Sequence, residues 1–121
     1  MPRSILGENA IHPAIREKVS KLHLDIVQQV QDAIAKHPVV IVGMGLNPFP
    51  KKARNMLDAI SQPYEYIEFG NYFNQWRERN ALKLWTGWPT FPMVFVGGSL
   101  VGGAMDLKAL IDKGEFKKML G

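Results

Sequence analysis

Val39-Val40-Ile41-Val42-Gly43-Met44-Gly45-Leu46-Asn47-Pro48-Phe49-Pro50-Lys51-Lys52-Ala53 changes its periodicity midway, and that change decides the fold. Val39 to Val42 is a short, wholly apolar, β-branched run, the pattern of a central strand buried on both faces. A turn follows at Gly43 to Gly45. Asn47-Pro48-Phe49-Pro50 then opens a helix. Asn is among the best N-cap residues and Pro48 suits the first helical position; Pro50 falls in the first turn, where its missing N–H has no intrahelical partner to lose. Ala53, Met56, Leu57 and Ile60 give this helix one apolar side before Gln62-Pro63 ends it.

On the C-terminal side, Tyr64 to Phe69 alternates aromatic or apolar with acidic residues, a period-two strand with one more exposed face. Strand, helix and strand thus fit a right-handed βαβ crossover. Asn71 is placed to cap a third helix running through Trp85, which Thr86-Gly87 and Pro89 stop. Met93 to Val96, the pair Gly97-Gly98, and Ser99 to Val101 read as a hairpin with a two-residue loop. A final helical region runs from about Met105 to Leu120, broken or bent at Gly114. On the N-terminal side, Ile26, Val27, Val30, Ala33 and Ile34 recur at helical spacing between Leu24 and Lys36, and Pro38 stops that helix. The order helix, β, α, β, α, β, β, α predicts an α/β fold, a four-stranded mixed sheet flanked by helices. Residues 24–121 are expected to form the compact domain. Residues 1–23 precede it as a helical extension, with a short helical pattern from Ala14 to Leu22.

The 121 residues contain no cysteine, which removes disulfides, thiolate metal sites and a protein thiol nucleophile together. Fifteen Lys and Arg against eleven Asp and Glu give a formal charge of +4, which favours anionic partners without choosing among them. From Pro38 onward ten basic residues face seven acidic ones, so the excess is spread thinly and a nucleic-acid partner is not expected. The longest uncharged stretch, Leu84 to Met105, is interrupted by Pro89, Pro92 and five glycines and reads as strands and turns, not as a membrane span. The first twenty residues offer no continuous apolar run of the secretory kind, so a soluble, cytoplasmic protein is expected.

Three segments together carry a family resemblance. Val39 to Ala53 resembles the first strand and active-site turn of a glutaredoxin, in which a Cys-Pro-Tyr/Phe-Cys motif precedes a basic helix. Thr86-Gly87-Trp88-Pro89-Thr90-Phe91-Pro92 resembles that family's Trp-Pro and Thr-Val/Phe-Pro signature, and Val101-Gly102-Gly103-Ala104-Met105-Asp106-Leu107 its glycine-pair and aspartate motif. The resemblance implies a thioredoxin-like, glutaredoxin-type three-layer sandwich. It breaks at the chemistry: Asn47 and Pro50 stand where the family has its two cysteines, and Met44 where it often has a lysine that holds glutathione's glycine carboxylate.

What remains is a candidate site for glutathione or a peptide, made of Asn47, Phe49, Arg79, Trp88, Thr90, Phe91, Pro92, Gly103, Ala104, Met105 and Asp106. The resemblance makes Pro92 a cis-proline that turns the Phe91 backbone toward the ligand, to pair with it as a strand would. It gives Asp106 the ligand's amino group and Arg79 its carboxylate. The competing reading is architectural, with Asp106 capping the last helix, Pro92 setting the turn and Arg79 solvated. Trp88, in a loop before Pro89, is expected to wall the groove, whereas Tyr72, Phe73, Trp76 and Trp85 lie at the helical spacing of core residues. Lys51, Lys52 and Arg54 sit at the unfavourable end of their helix for the macrodipole, which suggests a role other than helix stability, either anion steering or simple solubilisation. His12, His23 and His37 lack metal-ligand spacing, and Gly43-Met44-Gly45 lacks the third glycine of a dinucleotide fingerprint.

Three functions follow. The first is a non-redox binding module with glutathione or a peptide in the groove and no required cofactor. The second is a transferase-like enzyme in which Asn47 stabilises a bound glutathione thiolate. The third is a regulatory protein-interaction module using the N-terminal extension and the aromatic third helix.

Overall fold

The β-branched run becomes β1, Val39–Gly43, buried along its whole length. A computed structural model describes residues 3–21, 24–71 and 73–120. β1 lies between β2 (Glu65–Glu68) and β3 (Met93–Val96), with β4 (Ser99–Gly102) outermost, giving the order β2-β1-β3-β4. β1 and β2 are parallel, and β1 with β3 and β3 with β4 are antiparallel, which makes the sheet mixed.

Alternation along β1 divides the interior. Val40 and Val42 face a cluster with Val30, Leu82, Phe91, Met93 and Phe95, covered by α2 (Leu24–Lys36) and α4 (Trp76–Thr86). Val39 and Ile41 face a second cluster with Ala53, Leu57, Val94, Val96, Leu107 and Phe116, covered by α3 (Pro48–Ala59), α5 (Ala104–Asp112) and α6 (Phe116–Leu120). Helices on both faces of one sheet make three layers. Gly114, at φ 72°, breaks the last helical region into α5 and α6. Gly97 and Gly98, both at positive φ, form the two-residue hairpin loop whose backbone twist suits antiparallel strands.

The third helix starts later than the Asn71 cap predicts. The Asn71 side chain instead accepts from Phe73 N at 2.8 Å, and the Asn71 backbone N–H donates to Asn74 Oδ1 at 2.9 Å, which closes a local turn. Asparagine side chains offer the backbone this alternative to a helix, and α4 begins only after Gln75, which has a left-handed φ of 53°. The late start corrects the aromatic assignment. Phe73 is 82% and Trp76 58% exposed, and Arg79, Ala81 and Leu82 form the buried face. Trp85 packs on the core, 6.2 Å from the Phe95 ring, and Tyr72 lies outside the described residues.

In the N-terminal extension, Glu8–Ala10 is a 3-10 turn and α1 spans Pro13–Lys21, with Leu22 and His23 outside the described residues. α1 buries no residue, and Arg3 Nη2 donates to Trp85 O at 3.3 Å. Among the described residues no helix is long and apolar enough to cross a membrane.

One glycine of β1 is fixed by its neighbours. A Cβ on Gly43 would stand 2.9 Å from Pro50 Cβ and from Tyr66 Cε1 and Oη. Tyr66 is itself held across the strand by its hydrogen bond to Glu68 and by the Arg54 guanidinium, 4.3 Å over its ring. Burial, and then that bond to the carboxylate, push its hydroxyl pKa up to about 12. Gly43→Ala should therefore lower stability by about 1–3 kcal/mol through overpacking, read as an earlier midpoint in urea with an unchanged slope.

Candidate ligand groove

The C-terminal end of β1, the start of α3, the loop after α4 and the start of α5 meet around one cavity of about 500 Å3. All the candidate residues except Arg79 line it: Asn47 and Phe49 at the start of α3, Trp88, Thr90, Phe91 and Pro92 from the loop, and Gly103 to Asp106 at the start of α5. Met44, Pro48, Lys83 and Pro89 complete the wall.

Asn47 joins two of these segments. It is the N-cap of α3, with φ −107° and ψ 124°, and its Oδ1 accepts from Phe49 N at 3.0 Å. Its Nδ2 donates across the groove floor to Phe91 O at 3.1 Å. The side chain standing at the nucleophile's place is thus a clasp between α3 and the Phe91–Pro92 turn, whose peptide bond is cis. Phe91 O, half of the backbone edge expected to meet a ligand, already has one partner inside the protein.

On the opposite side Asp106 Oδ2 accepts from Gly103 N at 2.9 Å, so this carboxylate caps α5 and lines the cavity at once. Gly102, at φ 114°, leaves room for it, since a Cβ there would fall 2.6 Å from Asp106 Oδ2. The first turns of both α3 and α5 face the cavity, and each brings the partial positive charge of a helix start. Trp88 is anchored through its backbone N–H, which donates to Thr86 Oγ1 at 3.1 Å, and its ring packs on the core.

Arg79 is neither a ligand cation nor a solvated side chain. It is 4% exposed, and its Nη1 donates to Phe69 O at 2.9 Å and Asn74 O at 2.7 Å. The turn before α4 directs carbonyls inward, and a guanidinium has enough donors to satisfy two of them. The cation in the cavity is Lys83, which the sequence reading missed; its Nζ lies 5.9 Å from the Phe91 ring centroid. Its one signal is its place in the last turn of the helix that leads to the Trp88 loop. Met44, in place of a lysine, is 7% exposed and belongs to the core as well as to the cavity wall.

Lys51, Lys52, Arg54, His12 and His37 are not among the residues that line the cavity. Lys52 lies 4.8 Å from the Phe49 ring and Arg54 stacks on Tyr66. His12 Nδ1 accepts from Ala14 N at 3.0 Å, and His37 sits 3.5 Å from a Glu65 oxygen. Among the described residues there is no cluster of three or more metal-ligating side chains.

A sheet of this order between two helical layers, with a cavity at the start of the helix that follows β1 and beside a cis-proline, defines the thioredoxin-like fold. The structure superposes on mutated buckwheat glutaredoxin with a TM-score of 0.73 at 24% identity, over 84% of this chain and 92% of the other. On the buckwheat glutaredoxin-glutathione complex the TM-score is 0.71 at 23% identity, over 83% and 91%. The glutaredoxin family model matches residues 39–101. A glutaredoxin-like protein of Dictyostelium discoideum is 36% identical over 96 residues, 79% of this chain and 78% of the relative. The chain belongs to the glutaredoxin family.

Two substitutions separate the clasp from the buried cation. Asn47→Ala removes a helix cap and the bond to Phe91 O together and should cost about 2 kcal/mol, measured by urea unfolding. Arg79→Met strands two carbonyls and should cost about 3 kcal/mol, while leaving the affinity of any groove ligand within twofold in calorimetry.

Proposed function

We propose that this chain is a non-redox binding module whose groove takes glutathione or an extended peptide. The cavity carries this reading: the three motif segments converge on it, and it has two helix starts, one ammonium and one carboxylate, but no thiol. Disulfide exchange needs a thiolate on the protein, and none of these 121 residues forms one. Asp106, whose second oxygen is free of the cap, suits an amino group, and Lys83 suits a carboxylate. Buckwheat glutaredoxin, which shares this fold, forms a complex with glutathione, and that agrees with the small-molecule form of the reading. A cytoplasmic setting, where glutathione keeps thiols reduced, also suits it.

The transferase-like alternative receives less support. Asn47 uses its Oδ1 and one amide hydrogen inside the protein, so it has a single hydrogen left for a bound thiolate. The regulatory-module alternative draws on the exposed Phe73 and Trp76.

Titration calorimetry with reduced glutathione tests the proposal. Binding at millimolar ligand or tighter is expected, weakened about tenfold (~1.4 kcal/mol) in Asp106→Asn, which keeps an oxygen for the cap but loses the charge. No heat at millimolar glutathione removes the small-molecule form and leaves the peptide. A redox arm uses Asn47→Cys. The new thiol should titrate below the roughly 8.5 of a free cysteine, because the helix start favours the thiolate. An unshifted value means that the start of α3 does not act on position 47.

A further inference from the structure

β4 is the outermost strand, and among the described residues its free edge pairs with no other segment. An edge with unpaired N–H and C=O groups is a template for a further strand, and proteins blunt such edges with charge, proline, short length or a bulge. Ser99-Leu100-Val101-Gly102 has no charge and no proline. It is short, and its register shifts at Val101, since Val94 pairs with Gly102 and Phe95 with Leu100. Four residues with such a shift are too few for a flat join to the sheet of a second copy. They suffice for one short extended segment where side-chain pockets add to the backbone bonds.

Pockets border this edge on both faces of the sheet. Leu100 packs on the core under α2 and α4, and with Ile34, Trp85 and Phe95 it lines a cavity of about 380 Å3. Val101 packs on the opposite core, and with Leu110 and Met119 it lines a cavity of about 330 Å3. Successive side chains of a strand point to opposite faces, each about 5 Å from its neighbour on the next strand. Two consecutive apolar residues of a strand laid beside β4 therefore fall next to Leu100 and next to Val101, one at each cavity.

Charge distinguishes the two faces. Lys113 lines the Val101 cavity, and the exposed Lys117 and Lys118 lead to Met119 on the same side. Among the described residues none of these three lysines forms an ion pair. The one carboxylate at this cavity, Asp106, already accepts from Gly103 N. The Leu100 cavity is lined by no charged residue.

We propose that β4 is the docking edge for an extended segment of a partner protein that carries two adjacent apolar residues, one for each cavity, with acidic residues on the Val101 face. The backbone ladder and the two apolar side chains supply the affinity, and the lysines set orientation and choice of partner. Only Asp106 is shared with the ligand groove, so this reading and that of the groove can fail separately.

The capped peptide Glu-Thr-Val-Leu-Glu-Thr, as a strand, sets its valine and both glutamates on one face and its leucine on the other. Titrated into the full chain and followed by amide NMR, it should bind with a Kd of about 0.1–1 mM. It should shift the amides of Ser99 to Gly102 and slow their exchange, with those of Asn47 and Phe91 unmoved. Lys-Thr-Val-Leu-Lys-Thr should bind about tenfold more weakly. Lys113→Glu, at an exposed position that does not line the groove, should reduce this preference for the acidic peptide and leave the glutathione titration unchanged. The peptide charge reversal carries the test on the wild-type chain if that variant does not fold. No binding at millimolar acidic peptide overturns the proposal, and so does equal binding of the two peptides. Shifts confined to the groove residues overturn it by assigning the peptide to the groove. A dimer in light scattering whose Ser99 to Gly102 amides are already slow to exchange overturns it in favour of a second copy.

Discussion

Burial of Val39–Gly43 on both faces leaves this strand no side turned to water, and the rest of the architecture follows from covering it. Each Val or Ile removed from water contributes roughly 1.5–3 kcal/mol. The gain requires helices above and below the sheet and hydrogen-bonded strands on both edges. β2 and β3 supply the edges; α2 and α4 cover Val40 and Val42, and α3, α5 and α6 cover Val39 and Ile41. A register slip of one residue would exchange these two sets. The strand also ends at the groove, since its continuation through Met44 reaches Asn47, so the packing that fixes β1 fixes the cavity floor as well.

At the end of that strand a hydrogen-bonding side chain occupies the place of a reactive one. A thiol at a helix start is useful because the backbone field stabilises its anion, and it must stay accessible to react. Asn47 makes the opposite use of the same geometry. It closes α3 through Phe49 N and ties the helix start to Phe91 O, so the groove is cross-braced in the free state. Such bracing reduces the ordering cost of placing any group against these segments. The remaining polar groups are arranged likewise: Asp106 is oriented by Gly103 N, and the Trp88 backbone is held by Thr86, whose hydroxyl also donates to Leu82 O at 2.8 Å.

The sheet and its covering helices were legible in the sequence where one pattern had no local competitor. Val39 to Val42 had no polar residue to expose, Leu24 to Lys36 had one apolar face, and Gly97-Gly98 had the backbone freedom that a tight hairpin needs. The start of α4 was not legible, because Asn71 and Asn74 satisfy the backbone locally and postpone the helix, which turns Phe73 and Trp76 outward. The site divides in the same way. Its three chain segments were legible as motifs, since each brings its own turn chemistry. The side chains between them were not: which basic residue of α4 is buried and which reaches the cavity depends on how the helix is rotated, and that set Arg79 inward and Lys83 into the groove.

Leu46 shows where the fold accepts a local cost. It has φ 64°, a conformation that costs an L-residue roughly 1–2 kcal/mol, and at 67% exposure it gains little burial to offset this. Neither propensity nor packing accounts for a leucine there, because glycine would adopt the same backbone at no steric cost. Its position does distinguish it: it is the residue before Asn47, and it shares exposed apolar character with Phe49 and Met105, both of which line the cavity. Strain held in a sparsely populated backbone region persists where the surrounding structure over-determines it, and such positions cluster at ligand sites. Here β1 and the Asn47 clasp fix the chain on either side, and the left-handed turn joins them.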